Sequence, residues 1–164
     1  MSPRSGGARR KPVVTYLEIT DPAAIRSARP VEAPIDLVDP PDGAVNRSFY
    51  EGVGADWNWT DLLGRDDAFW QAHAESVETW VIGDGAGYAE LRVSGDGVQD
   101  VEIAYFGLLP AFQGRGLGGA LLEFALRRGF ELGARVWVHT CTDDGPHALA
   151  NYMARGLVPY KEER

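Results

Sequence analysis

The chain is short of several things, and each shortage excludes a class of protein. It has one cysteine, Cys141, in 164 residues. No internal disulfide can form, and a lone thiol suits a reducing compartment. No stretch approaches the ~20 consecutive apolar residues that cross a bilayer. The first dozen residues hold arginines but no apolar core, so they do not read as a secretory signal. A cytoplasmic protein without a membrane partner is expected. Paired metal-ligand spacings are also missing. His139, Cys141, Asp143 and His147 lie close together but form no Cys-x-x-Cys or His-x-x-x-His pair, so no metal is expected. His139 and Cys141 share a strand face, which a Cys–His nucleophile would need, but core packing or pocket lining explains them more simply.

Acids are absent from residues 1–12, which carry Arg4, Arg9, Arg10 and Lys11. The net charge is −8, leaving about −12 on the remainder. Such a body repels nucleic acid and anionic surfaces and favours cationic partners such as amines. Residues 1–12 read as a disordered basic tail. Residues 13–164 have the length of one domain.

Against these shortages stands an abundance of glycine in one place. Gly114, Gly116, Gly118 and Gly119 follow an apolar run, Ile103 to Leu109, that ends at Pro110. A long proline-free apolar pattern comes next. The order is strand, glycine loop, helix. The first turn of a helix has N–H groups without partners and a partial positive charge. Glycines let an anion approach those groups, so the loop is a candidate phosphate cradle, with Arg115 adding a fixed charge. The alternative is a tight turn for close strand–helix packing. A Walker loop is excluded, because Gly118-Gly119-Ala120 lacks the Gly-Lys-Ser/Thr end.

The rest of the chain alternates strands and helices. Val13 to Thr20 reads as a first strand, ended by Asp21-Pro22. A proline-punctuated segment runs to Gly43 and holds a possible edge strand at Ile35 to Val38. A short helix is expected over Asn46 to Gly52, with Asn46 near its cap. A second helix is expected over Asp66 to Ser76. Three strands then form an antiparallel meander: Thr79 to Ile82, Tyr88 to Val93 and Val98 to Leu109. The helix from Leu117 to about Leu132 buries Leu117, Leu121, Phe124 and Ala125, exposes a stripe of Glu123, Arg127 and Glu131, and ends at Gly133. A strand at Arg135 to Thr140, a helix at Pro146 to Arg155 and a strand at Val158 to Lys161 complete the chain. The expected fold is α+β: a single mixed, mostly antiparallel sheet of six to seven strands, with about four helices on both faces.

Gln113-Gly114-Arg115-Gly116-Leu117-Gly118 resembles the Q/R-x-x-G-x-G/A motif of the GNAT superfamily, the acyl-CoA-dependent N-acetyltransferases. The order β-α-α-β-β-β-α-β-α-β is similar to the fold of that family. Tyr152-Met153-Ala154-Arg155-Gly156-Leu157 resembles its Tyr-x-x-x-Gly-Phe pattern. The resemblance implies acetyl-CoA as cofactor and admits a homodimer; the alternatives are a non-catalytic acyl-CoA-binding module or a carrier-protein or aminoacyl-tRNA donor. The aromatic segment points to a small-molecule amine as acceptor, with a protein N-terminus or lysine as the alternative. It implies that the amides of Gln113, Gly114, Arg115, Gly116, Leu117, Gly118 and Gly119 hold the pyrophosphate. It implies that a strand-end amide polarises the thioester carbonyl: Leu108 first, with Leu109 or Phe106 as alternatives beside Gly107. Tyr152 is then the general acid on the departing thiolate. The sequence departs from the pattern at Gly145, where asparagine often stands, and Asn151 is a candidate substitute on the pantetheine arm.

Acetylation needs a neutral amine. Deprotonating a lysine-like amine, pKa ~10.4, costs roughly 4–5 kcal/mol at pH 7. A positioned base therefore helps by ~10²–10⁴-fold. Glu102, a carboxylate in an apolar strand, is the first candidate, and its spacing before Gln113 resembles that of a base glutamate in the histone-acetylating branch. An outward-facing strand charge is the competing reading. Glu90 on the neighbouring strand and His139 are the alternatives. Tyr50, Trp57 and Trp59, in a segment rich in aromatics, either pack a core or wall an acceptor pocket, with Asp56 and Asp61 at its rim.

Overall fold

The computed structural model describes residues 12–55, 57, 59–144 and 147–164. The basic tail up to Lys11, Asp56 and the departure at Gly145 lie outside them. Seven strands form one mixed sheet in the order β2-β3-β4-β5-β6-β1-β7. They are β1 (Val14–Ile19), β2 (Ile35–Leu37), β3 (Glu78–Ile82), β4 (Gly87–Ser94), β5 (Asp100–Leu108), β6 (Arg135–Cys141) and β7 (Val158–Glu163). Every neighbouring pair is antiparallel except β5 and β6. The helices are α1 (Gly43–Gly54), α2 (Asp67–Glu75), α3 (Leu117–Leu132) and α4 (Ala148–Ala154). Among the described residues the mixed sheet and the four helices are as expected, and the possible edge strand, β2, adds a seventh strand to the expected order.

One face of the sheet packs on α3. Leu121, Leu122, Ala125 and Leu126 are buried against Leu17, Leu91, Val101, Ile103, Val136 and Val138. Each buried leucine contributes about 1.5–3 kcal/mol. Phe124 lies to one side, its ring 4.7 Å from that of Trp80. Arg128 ties the same helix to β3 with two bonds to Glu78, at 2.9 and 2.7 Å. The other face packs on α1, where Phe49 and Val53 meet Tyr88. Phe49 and Tyr88 stack at 4.8 Å.

Several local expectations change. The cap of α1 is Asp42, whose carboxylate accepts from the Ala44 N–H at 3.0 Å. Asn46 is instead fully buried a turn later, donating to Thr79 Oγ1 and Glu90 Oε2. A cap reading missed it because local sequence does not reveal what an inward-facing amide will meet. Gly133 does end α3, but in extended geometry that any residue adopts. Space requires it there: a Cβ would lie 2.5 Å from the Gln99 carbonyl oxygen. Glu123 pairs with Arg127 at 2.9 Å, as its spacing suggests. It is also partly covered, because it accepts the Ala28 N–H at 2.7 Å. The proline-punctuated segment therefore crosses α3, and the Arg26 N–H reaches the Arg155 carbonyl at 2.9 Å near the end of α4.

Candidate active site

The sheet opens in its middle. The parallel ladder joins Asp100, Val101 and Glu102 to Arg135, Val136 and Trp137, and no further pairs follow. Beyond them β5 and β6 part, and a cleft of about 880 Å³ occupies the gap. One end of its wall is backbone. Gly107 and Leu108 line it, as do Gln113, Gly114, Gly116, Gly118 and Gly119. Gly114 and Gly116 have φ of 79° and 77°, a left-handed conformation that favours glycine. Gly116 is the N-cap of α3 and supplies no side-chain partner to the first turn. The caps of α1 and α2, Asp42 and Asp66, do supply one. The first amides of α3 are thus left for an anion.

The edge of β5 is also directional. The Leu109 N–H donates to the Ala86 carbonyl at 2.9 Å. Leu109 is therefore removed as a donor to a bound carbonyl. Successive amides of an extended chain point to opposite edges, which turns the Leu108 N–H toward the cleft. A bulge adds to this. Glu90 pairs with Tyr105 but Leu91 pairs with Ile103, leaving Ala104 as an extra residue. Ile103 keeps its place on the α3 face while Tyr105 moves to the α1 face. Simple alternation puts Ile103 and Tyr105 together, so the role of Tyr105 had no signal in the sequence.

The other end of the cleft is made of side chains. Tyr50, Trp57, Trp59, Tyr105 and His139 line it. The rings of Tyr50, Trp59 and Tyr105 stand 5.3–5.6 Å apart. Tyr50 is thus both buried in packing and part of the cleft wall. Burial first, with Tyr50, Glu90 and Asp61 near it, pushes the Tyr105 hydroxyl up to about 12. Asn151 and Tyr152, on α4, line the cleft as well, and the Tyr152 ring lies 6.1 Å from that of Phe106. Burial, then the charge of Asp144, pushes the Tyr152 hydroxyl well above its ordinary value. Asp144 and His147 also line the cleft. Both follow β6: Asp144 is held by the Cys141 N–H and Thr140 Oγ1, and His147 is the N-cap residue of α4.

Other expected site residues stand outside the wall. Arg115 turns to the Phe112 ring, 5.7 Å from its centroid. Leu117 packs against the α3 core and Leu109 against the α1 cluster. Glu90 is buried, bonded to His73 Nε2 at 2.6 Å and Asn46 Nδ2 at 3.0 Å. It is not among the residues that line the cleft. Glu102 sits behind the wall, 3.4 Å from Arg92 Nη1 and 3.9 Å from Nε2 of His139. Among the described residues no group of three His, Cys, Asp or Glu side chains could hold a metal ion.

Solved structures share this architecture. A GCN5-related N-acetyltransferase from Kribbella flavida is 21% identical with a TM-score of 0.58, covering 90% of this chain and 54% of that one. A GCN5-related N-acetyltransferase from Sphaerobacter thermophilus is 18% identical with a TM-score of 0.61, covering 94% and 50%. This chain thus spans about half the length of both. Aminoglycoside N-acetyltransferase AAC(6')-Iy in complex with CoA is 18% identical with a TM-score of 0.57, covering 83% and 93%. No curated protein sequence matches this one. The model of the acetyltransferase (GNAT) family matches residues 44–157, from α1 through the glycine loop to just past α4. The chain belongs to that family.

Proposed function

We propose that the protein transfers an acetyl group from acetyl-CoA to a primary amine of a small molecule, by direct attack within a ternary complex. One observation carries the reading: a single cleft joins an uncapped, glycine-lined helix start to a pocket of aromatic side chains. The first suits the anionic cofactor and the second an organic acceptor. The amides at the start of α3 hold the pyrophosphate. The Leu108 N–H polarises the thioester carbonyl, a role often worth a few kcal/mol. The amine nitrogen attacks the carbonyl carbon, an N–C bond forms and the C–S bond breaks.

Two protons must move. Glu102 is the base, reached from the cleft through His139, which lines the wall in front of it. Tyr152 donates a hydrogen bond to the sulfur as the thiolate leaves. Its raised hydroxyl keeps it protonated at neutral pH. A thiol near ~8.5 is the stronger acid, so Tyr152 stabilises the thiolate chiefly by that bond and solvent completes the protonation.

The test begins with calorimetric titration of the protein with acetyl-CoA, beside a folded Arg115→Ala plus Gly116→Trp variant. Micromolar binding lost in the variant, followed by amine-dependent thiol release, is expected. A folded parent that binds no acetyl-CoA overturns the proposal.

A further inference from the structure

The acceptor end of the cleft holds two carboxylates that the proposed chemistry does not use. Asp144 is fixed in place. Its Oδ2 accepts from the Cys141 N–H at 2.7 Å and from Thr140 Oγ1 at 2.9 Å. Its Oδ1 accepts from Trp59 Nε1 at 3.3 Å, a bond that joins the loop after β6 to the loop after α1. Asp61 is exposed and lines the same cleft. Its charge is felt at the hydroxyls of both Tyr50 and Tyr105. Among the described residues, neither Asp61 nor Asp144 has a cationic partner within ion-pair distance. Other described carboxylates also lack an ion pair, but these two are the Asp and Glu residues that line the cleft.

These charges do not suit the reacting nitrogen. That nitrogen must be neutral to attack, and a nearby carboxylate favours its protonated form. They do suit a second cation on the same molecule. Trp59 and Tyr105 line the same cleft, and an ammonium is attracted to aromatic rings as well as to carboxylates. The rings exclude water around the cation, and the two carboxylates neutralise it.

Building on the acetyltransferase reading above, we infer that the acceptor is a diamine or polyamine. Its non-reacting ammonium is held between Asp144, Asp61 and the Trp59–Tyr105 wall while its other nitrogen meets the thioester. Asp144 and Asp61 are then specificity determinants, and neither takes part in proton transfer.

The experiment compares two acceptors of equal chain length, 1,4-diaminobutane and n-butylamine, by thiol release at saturating acetyl-CoA. The quantity read is the ratio of their kcat/KM values, which does not depend on the active fraction of a preparation. The wild-type ratio should favour the diamine at least ~10-fold, mainly through KM, as loss of one charge-assisted contact of about 1.4 kcal/mol would give. In Asp61→Asn plus Asp144→Asn the preference should fall to within ~3-fold, a residue of less than about 1 kcal/mol. Asp61→Asn alone, a change at an exposed position that leaves the fold intact, should reduce it part of the way. Equal use of both amines by the wild type overturns the inference, as does a preference unchanged in the variants. Turnover of neither amine by a protein that binds acetyl-CoA overturns it too. Failure to bind acetyl-CoA at all removes the acetyltransferase reading itself, so the two failures are distinct.

Discussion

The two ends of the cleft are built from different parts of the chain. The end proposed for the cofactor is backbone: amides of the Gln113–Gly119 loop and of the β5 edge, kept bare by glycine. The end proposed for the acceptor is side chain: Tyr50, Trp59, Tyr105, His139, Asp61 and Asp144, from three separate stretches of the chain. A backbone site demands that nothing else be present, and glycine is the only residue that guarantees this. A side-chain site demands particular groups, but those groups arrive from anywhere that the fold brings close. The first kind leaves a compact trace in the sequence and the second leaves a scattered one.

Substitutions can break this contrast. The largest effect should follow from placing a bulky side chain at the cofactor end. Gly116→Trp puts a non-glycine residue at φ 77° and covers the α3 amides. The affinity for acetyl-CoA should fall at least ~100-fold, about 2.7 kcal/mol, read by calorimetry. Retained affinity would mean that the loop amides do not hold the cofactor.

Next in size is Tyr152→Phe, which removes the hydroxyl between the two ends. The expected loss in kcat is about 10²-fold, within the range for a single positioned proton donor. An unchanged kcat would assign Tyr152 to packing on Phe106. Glu102→Gln should lower kcat/KM by about 10-fold or more and shift the alkaline optimum upward, because the amine must then lose its proton to solvent. His139→Gln separates the pair. A loss equal to that of Glu102→Gln, with no further loss in the double variant, would show that the two act as one unit.

The smallest effect lies away from the cleft and is a control. Hydrogen bonds from Arg128 hold the Glu78 carboxyl below its ordinary value. A carboxyl depressed in the folded state contributes stability that is fully present above the unfolded value near ~4.3. That stability is lost as pH falls through the lower folded value. Melting temperatures measured from pH 7 to pH 3 should therefore decline less steeply in Glu78→Gln than in the parent. Acetyl-CoA affinity at pH 7 should be unchanged, since α3 keeps its leucine face.

Much of the fold was legible. Apolar periods of two and of about 3.6 placed the strands and helices, and Asp21-Pro22 and Gly133 marked ends of two of them. The long segment between β1 and α1 was not. Its contacts, Ala28 with Glu123 and Arg26 with Arg155, join residues far apart in the chain. Asn46 failed as a cap for the same reason, since its partners Thr79 and Glu90 come from two strands. The site divided along the same line. The glycine loop and Tyr152 were found by pattern. Tyr105 was hidden by a bulge at Ala104, and Asp144 by the loop that folds back after β6.

By itself the sequence determined the secondary structure, the bare helix start and the absence of competing motifs, because each depends on neighbours within a few residues. Only the tertiary structure decided which carboxylates face the cleft, which face pairs and which strand-edge amide is left free. Glu90, Glu102, Asp61 and Asp144 are chemically alike in sequence. Packing sends the first to His73 and the second to Arg92, and leaves the last two in the cleft wall with no cationic partner among the described residues.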